Sequence, residues 1–234
     1  MKQCKSMLKK KGGVSGMATW VNHLRIAENI LKDGYRFDKI AFVTGTIAPD
    51  AGVPNEDWSK YDPPSTITHF RDENNEIHSE VFYDQHISDI KFSHEQEYYS
   101  FLMGYYVHLL IDIEWKKLMD KKKEEFLFKG ILNKDSNLIS KEVTKDSVEL
   151  EFKYLRENKN SLFFTCFQHI VEVKDFLDFF PKGAFTNRFK HIREMYIANY
   201  HKSERNLIYL SSRELDTFIQ EASLHIEDKL EAVC

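Results

Sequence analysis

Apolar residues fall along this chain in stripes at helical spacing, separated by short polar breaks. The first stripe, Trp20, Leu24, Ala27, Ile30 and Leu31, predicts a helix from about Trp20 to Lys32, with Thr19 as its cap and Gly34 just past its end. A second apolar segment, Lys39–Thr46, runs into the stretch GTIAPD. Residues 51–68 hold Gly52, Pro54, Pro63 and Pro64 and predict an irregular loop, followed by a polar segment, Arg71–His94. Ser93 and Gln96 make a capping-box signature that opens the clearest helix, from about His94 to Lys123. Residues 121–160 are highly charged and predict partial helix with a break near Asn133–Asn137. Three further stretches, SLFFTCFQHIVEVKDFLDFF, AFTNRFKHIREMYIANYH and SRELDTFIQEASLHIEDKL, keep apolar residues three to four apart. No segment alternates with period two. The pattern predicts an all-α, single-domain bundle of roughly six to eight helices over residues 17–234.

Composition narrows this picture. A chain of 234 residues fits one generous domain, and 42% apolar content with 18 Phe and 11 Tyr can fill a core. A net charge of −4 implies no basic face, so a nucleic-acid partner is not predicted. Cys4, Cys166 and Cys234 share no spacing pattern, which points to a reducing compartment. The longest apolar stretch, Phe101–Ile113, is too short to span a bilayer and carries His108 and Asp112. No apolar leader opens the chain, and the expected location is cytoplasmic. The run KKKGGVSGM can be encoded with a ribosome-binding sequence just ahead of Met17, so residues 1–16 read as a non-native extension. The Lys-rich run 116–123 reads as a solvated face.

Candidate chemistry gathers on a few histidines and aspartates. In GYYVHLLIDIEW, residues 104–115, His108 and Asp112 are one turn apart on one helix face within an apolar run. A buried carboxylate needs a partner. A hydrogen-bonded His–Asp pair supplies one and a metal ion supplies another; Gly104, one turn earlier, is read as leaving room. His69 stands between apolar neighbours after the proline-rich loop, His23 lies on the first stripe, and Asp50 ends GTIAPD, where Gly45, Pro49 and Asp50 are also ordinary turn residues. Taken together, His23, Asp50, His69, His108 and Asp112 are imidazole and carboxylate ligands of the kind that hold zinc, iron or manganese. The stretch HEQEY lacks the second His of H-E-x-x-H, and no adjacent His-Asp pair, G-x-S-x-G, Walker A loop or G-x-G-x-x-G occurs.

The segments WVNHLRIAENIL, FVTGTIAPD, THF and GYYVHLLIDIEW, in that order over about residues 18–115, resemble the zinc-dependent phospholipase C family, more distantly the S1/P1 nucleases. The resemblance implies an all-α phosphate-ester hydrolase with His23, Asp50, His69, His108 and Asp112 as metal ligands. It implies that Asp112 bridges two ions and that Asp50 also orients or deprotonates the attacking water. That family uses a mature amino-terminal Trp as a ligand; Trp20 is internal here, and the role is not carried over. A second H-x-x-x-D/E element is missing: His169, His191, His201 and His225 have no acid at i+4, and His191 has only Glu194 at i+3. The expectation is therefore one or two divalent ions, zinc foremost, acting on a small phosphate-ester or phospholipid-like substrate. The alternatives are a non-catalytic helical protein with a structural ion, and an interaction module without metal.

Overall fold

The computed structural model describes residues 17–57, 59–90, 96–128, 136–202 and 205–233. The extension 1–16, the Ser93 cap, Cys4, Cys234 and most of the break expected near Asn133–Asn137 lie outside the described residues.

The chain is mostly helical. In order it forms α1 (Trp20–Lys32), α2 (Lys39–Gly45), a 3-10 turn (Ala48–Ala51), β1 (Val53–Pro54), β2 (Tyr61–Asp62), α3 (Ser65–Thr68), α4 (Ser79–His86), α5 (Gln96–Phe128) and α6 (Ser136–Glu157). Then follow α7 (Leu162–Thr165), a 3-10 turn (Phe167–His169), α8 (Ala184–Asn199) and α9 (Ser212–Glu231). β1 and β2 pair antiparallel, Val53 opposite Asp62 and Pro54 opposite Tyr61, inside the stretch expected to be irregular.

α5 is the axis of the fold. From Tyr99 to Asp112 every residue is buried, because α1, α2, α4, α6 and α9 all pack around it. A helix apolar on every side is stable only when so surrounded. α2 comes closest. A β-carbon on Gly104 would stand 2.1 Å from the carbonyl oxygen of Phe42, and one on Gly45 would stand 1.9 Å from that of Phe101. The two glycines therefore let two helix backbones touch. This corrects two expectations: Gly45 is a helix residue used for close packing, and Gly104 leaves no room for an ion because α2 fills that space.

Two further expectations change. SLFFTCFQHIVEVKDFLDFF forms only α7 and one 3-10 turn. Beyond Ile170 the chain leaves the helix, and Val173 exchanges both backbone groups with the Thr186 hydroxyl, N to Oγ1 at 3.0 Å and Oγ1 to O at 3.3 Å. A tertiary partner thus replaces the helical one, while Phe176 stacks on Phe101 at 4.3 Å. In the Lys-rich run, Lys122 is buried and pairs with Glu214 rather than facing solvent.

Candidate metal centre

All five candidate ligands meet. α1 supplies His23, the 3-10 turn Asp50, the residue after α3 His69, and α5 both His108 and Asp112. They form two groups whose ligand atoms lie within 4.8 Å of one another, His23–His108–Asp112 and Asp50–His69–His108. His108 is the member common to both. His191 and Glu194 belong to neither.

Local structure delivers each side chain. Pro49 sits in the first turn of the 3-10 segment and is followed by Asp50, so GTIAPD is helix end, 3-10 turn and ligand in succession. Trp20 Nε1 donates to Asp50 Oδ2 at 2.7 Å and fixes that carboxylate. Phe70 takes a left-handed φ of 51°, uncommon for a non-glycine residue, between His69 and Arg71. The rings of His23 and His108 stack at 4.1 Å.

The hydrogen bonds decide where the imidazole protons sit. His108 Nδ1 lies 2.9 Å from the Thr46 carbonyl, and His23 Nδ1 lies 3.1 Å from the Thr19 carbonyl. A carbonyl only accepts, so both Nδ1 atoms carry hydrogen and both Nε2 atoms face inward. His69 Nδ1 is 2.8 Å from the Thr68 hydroxyl, which leaves its Nε2 in the centre as well. His108 and His69 meet Nε2 to Nε2 at 3.2 Å. His23 Nε2 stands 3.5 Å from Asp112 Oδ1, and His69 Nε2 stands 3.5 Å from Asp50 Oδ1. Asp112 Oδ2 lies 3.6 Å from His69 Nε2 and 3.8 Å from His108 Nε2. The last spacing is too long for a hydrogen bond, so His108 and Asp112 are not an isolated bonded pair.

His23 Nε2 and Asp112 Oδ2 are buried with no hydrogen-bond partner. Each such orphan costs roughly 1–3 kcal/mol. A shared cation removes that penalty. Two ligands ~2.1 Å from one tetrahedral ion stand ~3.4 Å apart, close to the spacings above. Chemistry and geometry both fit a divalent ion.

The buried groups differ in their electrostatics. Burial opposes ionisation of Asp50 and Asp112, yet the surrounding imidazoles hold both carboxyls below the ordinary range. Burial and the neighbouring His23 push His108 down to about 3, which keeps its ring neutral. Burial also disfavours charge on His23, but the Asp112 carboxylate holds it above its ordinary value.

Several residues at the centre carry no signature in the sequence. The Ala18 amide donates to Asp112 Oδ1 at 2.9 Å. Arg71 Nη2 lies 3.7 Å from Asp112 Oδ2, and Arg71 also lines a cleft of about 570 Å³ with Ile67, Phe70, Val81, His86 and Phe179. Beside His23, a buried network joins Thr19, Asn22, Ser147 and Glu151: Asn22 Nδ2 donates to Ser147 Oγ at 2.9 Å, and Glu151 accepts from the Asn22 amide and the Tyr196 hydroxyl. Burial pushes Glu151 up to about 7 despite those bonds. Ser147 stands one turn before Glu151, where a histidine would have completed an H-x-x-x-E pattern.

No helix among the described residues is long and apolar enough to cross a membrane. The chain matches no protein-family model, no curated protein and no solved structure.

Proposed function

We propose that this protein is a metal-dependent phosphoric ester hydrolase, phospholipase C-like in its centre. Two supports carry the reading. Four sequence segments resemble that family in order, and the five ligand candidates those segments contain converge with their ligand atoms turned inward. The convergence is the decisive observation, because nothing in the sequence spacing requires it.

Divalent ions held by His23, Asp50, His69, His108 and Asp112, zinc suiting these donors best, would lower the pKa of a water towards about 7 and offset charge on phosphoryl oxygens. The chain's own part is orientation. Thr46 and Thr19 fix the tautomers of His108 and His23 through their carbonyls. Asp112 turns one oxygen to His23 and the other to His69 and His108, the disposition a bridging carboxylate needs. Asp50, held by Trp20, is the ligand with the most exposed side chain, at 10% against 1% or less for the others, and so is placed to orient a water and accept its proton. The water oxygen bonds to phosphorus, the ester P–O bond breaks, and the proton passes to the leaving alkoxide.

Elemental analysis of gently purified protein, coupled to hydrolysis of p-nitrophenyl phosphate and bis-p-nitrophenyl phosphate, tests this. Bound zinc with turnover of either ester is expected. No metal after purification or reconstitution overturns the reading. A second reading, a structural ion in a non-catalytic helical protein, draws on burial: four of the five ligands have side chains at most 1% exposed, and none of the five lines the large cleft. Bound metal without hydrolysis by any divalent form selects it.

A further inference from the structure

Most buried charged side chains among the described residues have a partner of opposite charge. Asp146 is fully buried and accepts from Arg205 and from the amides of Ile208, Tyr209 and Leu210. Buried Lys122 meets Glu214, and Arg71 faces Asp112. Arg188, on α8, is only 7% exposed, yet no carboxylate among the described residues forms an ion pair with it. Its contacts are a hydrogen bond from Nη2 to the Gly52 carbonyl at 2.6 Å and the Tyr61 ring, whose centroid lies 5.7 Å from the guanidinium carbon.

A guanidinium does not give up its proton, so Arg188 cannot answer burial by becoming neutral. The Asp50 carboxylate is near enough to favour the charge but makes no ion pair with it, and a buried charge without a bonded counter-ion costs several kcal/mol. One carbonyl uses one of five N–H donors, and among the described residues no other acceptor hydrogen-bonds to Arg188. The location indicates which acceptor. Gly52 is two residues past Asp50, so Arg188 stands beside the most exposed ligand of the centre.

We propose that Arg188 is the anion-binding residue of this centre and takes two non-bridging oxygens of a phosphomonoester dianion. The inference rests on the phosphoesterase reading and narrows it. A guanidinium fork matches a pair of phosphate oxygens. A phosphodiester has two non-bridging oxygens in all, and a fork that takes both leaves none for the centre. A monoester has three. The carboxy-terminal half, which offers no metal-binding motif, thus supplies the specificity element through α8.

The test uses inorganic phosphate as probe, on the full chain with and without added zinc, read by isothermal titration and by the phosphate-induced rise in melting temperature. Wild type should be stabilised by phosphate; if millimolar phosphate neither binds nor raises the melting temperature, the inference falls, whatever any variant does. Arg188→Met should keep its zinc content and lose at least ~10-fold in phosphate affinity, with Arg188→Lys recovering part of it. The ratio of kcat/KM for p-nitrophenyl phosphate over bis-p-nitrophenyl phosphate should fall by about the same factor. If Arg188→Met folds, holds zinc and binds phosphate like wild type, Arg188 only props the Asp50 turn and the proposal is overturned. The two readings fail separately. Absent metal with Arg188-dependent phosphate binding sinks the phosphoesterase reading alone; metal and hydrolysis indifferent to Arg188 sink this inference alone.

Discussion

Gly104 lies so close to Phe42 that a β-carbon added to it would stand 2.1 Å from the Phe42 carbonyl oxygen. This contact sets the distance between α2 and α5, and with it the 2.9 Å bond from His108 Nδ1 to the Thr46 carbonyl at the end of α2. Packing of two backbones thereby fixes the tautomer of the ligand that both groups share.

Gly104→Ala is accordingly expected to be destabilising, although alanine is the better helix former by about 1 kcal/mol. The neighbour is backbone and cannot swing aside, so overpacking should outweigh propensity and leave a net loss of at least ~2 kcal/mol. Urea denaturation measures this. Zinc content should fall with it, because α2 must shift away from His108.

His108→Ala should abolish metal binding, since it removes a ligand from whichever group an ion occupies; its single Nε2 lone pair serves one ion at a time. His23→Ala removes a ligand from only one group and should leave the Asp50–His69–His108 group able to hold an ion. Equal metal content in the two variants would show that the groups are not separate sites. In wild type, chelation should lower the melting temperature, because an ion bound only by the folded state adds its binding free energy to stability.

Trp20→Phe keeps the ring and deletes the hydrogen bond to Asp50 Oδ2. The loss of an orienting partner typically weakens metal affinity ~10–100-fold. The weakening should fall on binding at Asp50, His69 and His108 and should vanish in a Trp20→Phe, Asp50→Ala double variant compared with Asp50→Ala alone, as competition with a chromogenic chelator can resolve.

Glu151 sets a pH dependence. Its folded pKa, about 7, lies above the ordinary carboxylate value of 4.5, so between those values the folded state holds more protons than the unfolded chain. The stability it contributes is present in full below about 4.5 and is lost as pH rises towards 7, by up to ~3 kcal/mol. Glu151→Gln cannot ionise. It should match wild type near pH 5 and exceed it near pH 8, as a melting-temperature series across that range would record. Identical pH profiles for the two proteins would refute this account.

The sequence by itself determined the helices whose apolar residues repeat every three to four positions: α1, α5, α8 and α9 fall within a few residues of where the pattern places them. It also marked His23, Asp50, His69, His108 and Asp112, because a polar ligand on an apolar stripe is visible locally. Tertiary structure alone decided the rest. Gly45 and Gly104 acquire their purpose from a neighbouring helix, Val173 finds its backbone partners in Thr186, and Trp20 and Arg71 reach the centre, and Arg188 the Gly52 carbonyl, from positions whose spacing announces nothing. Periodicity along a chain records which side of a helix is buried. It does not record what that side is buried against, and both the centre and the buried guanidinium of Arg188 are properties of that second relation.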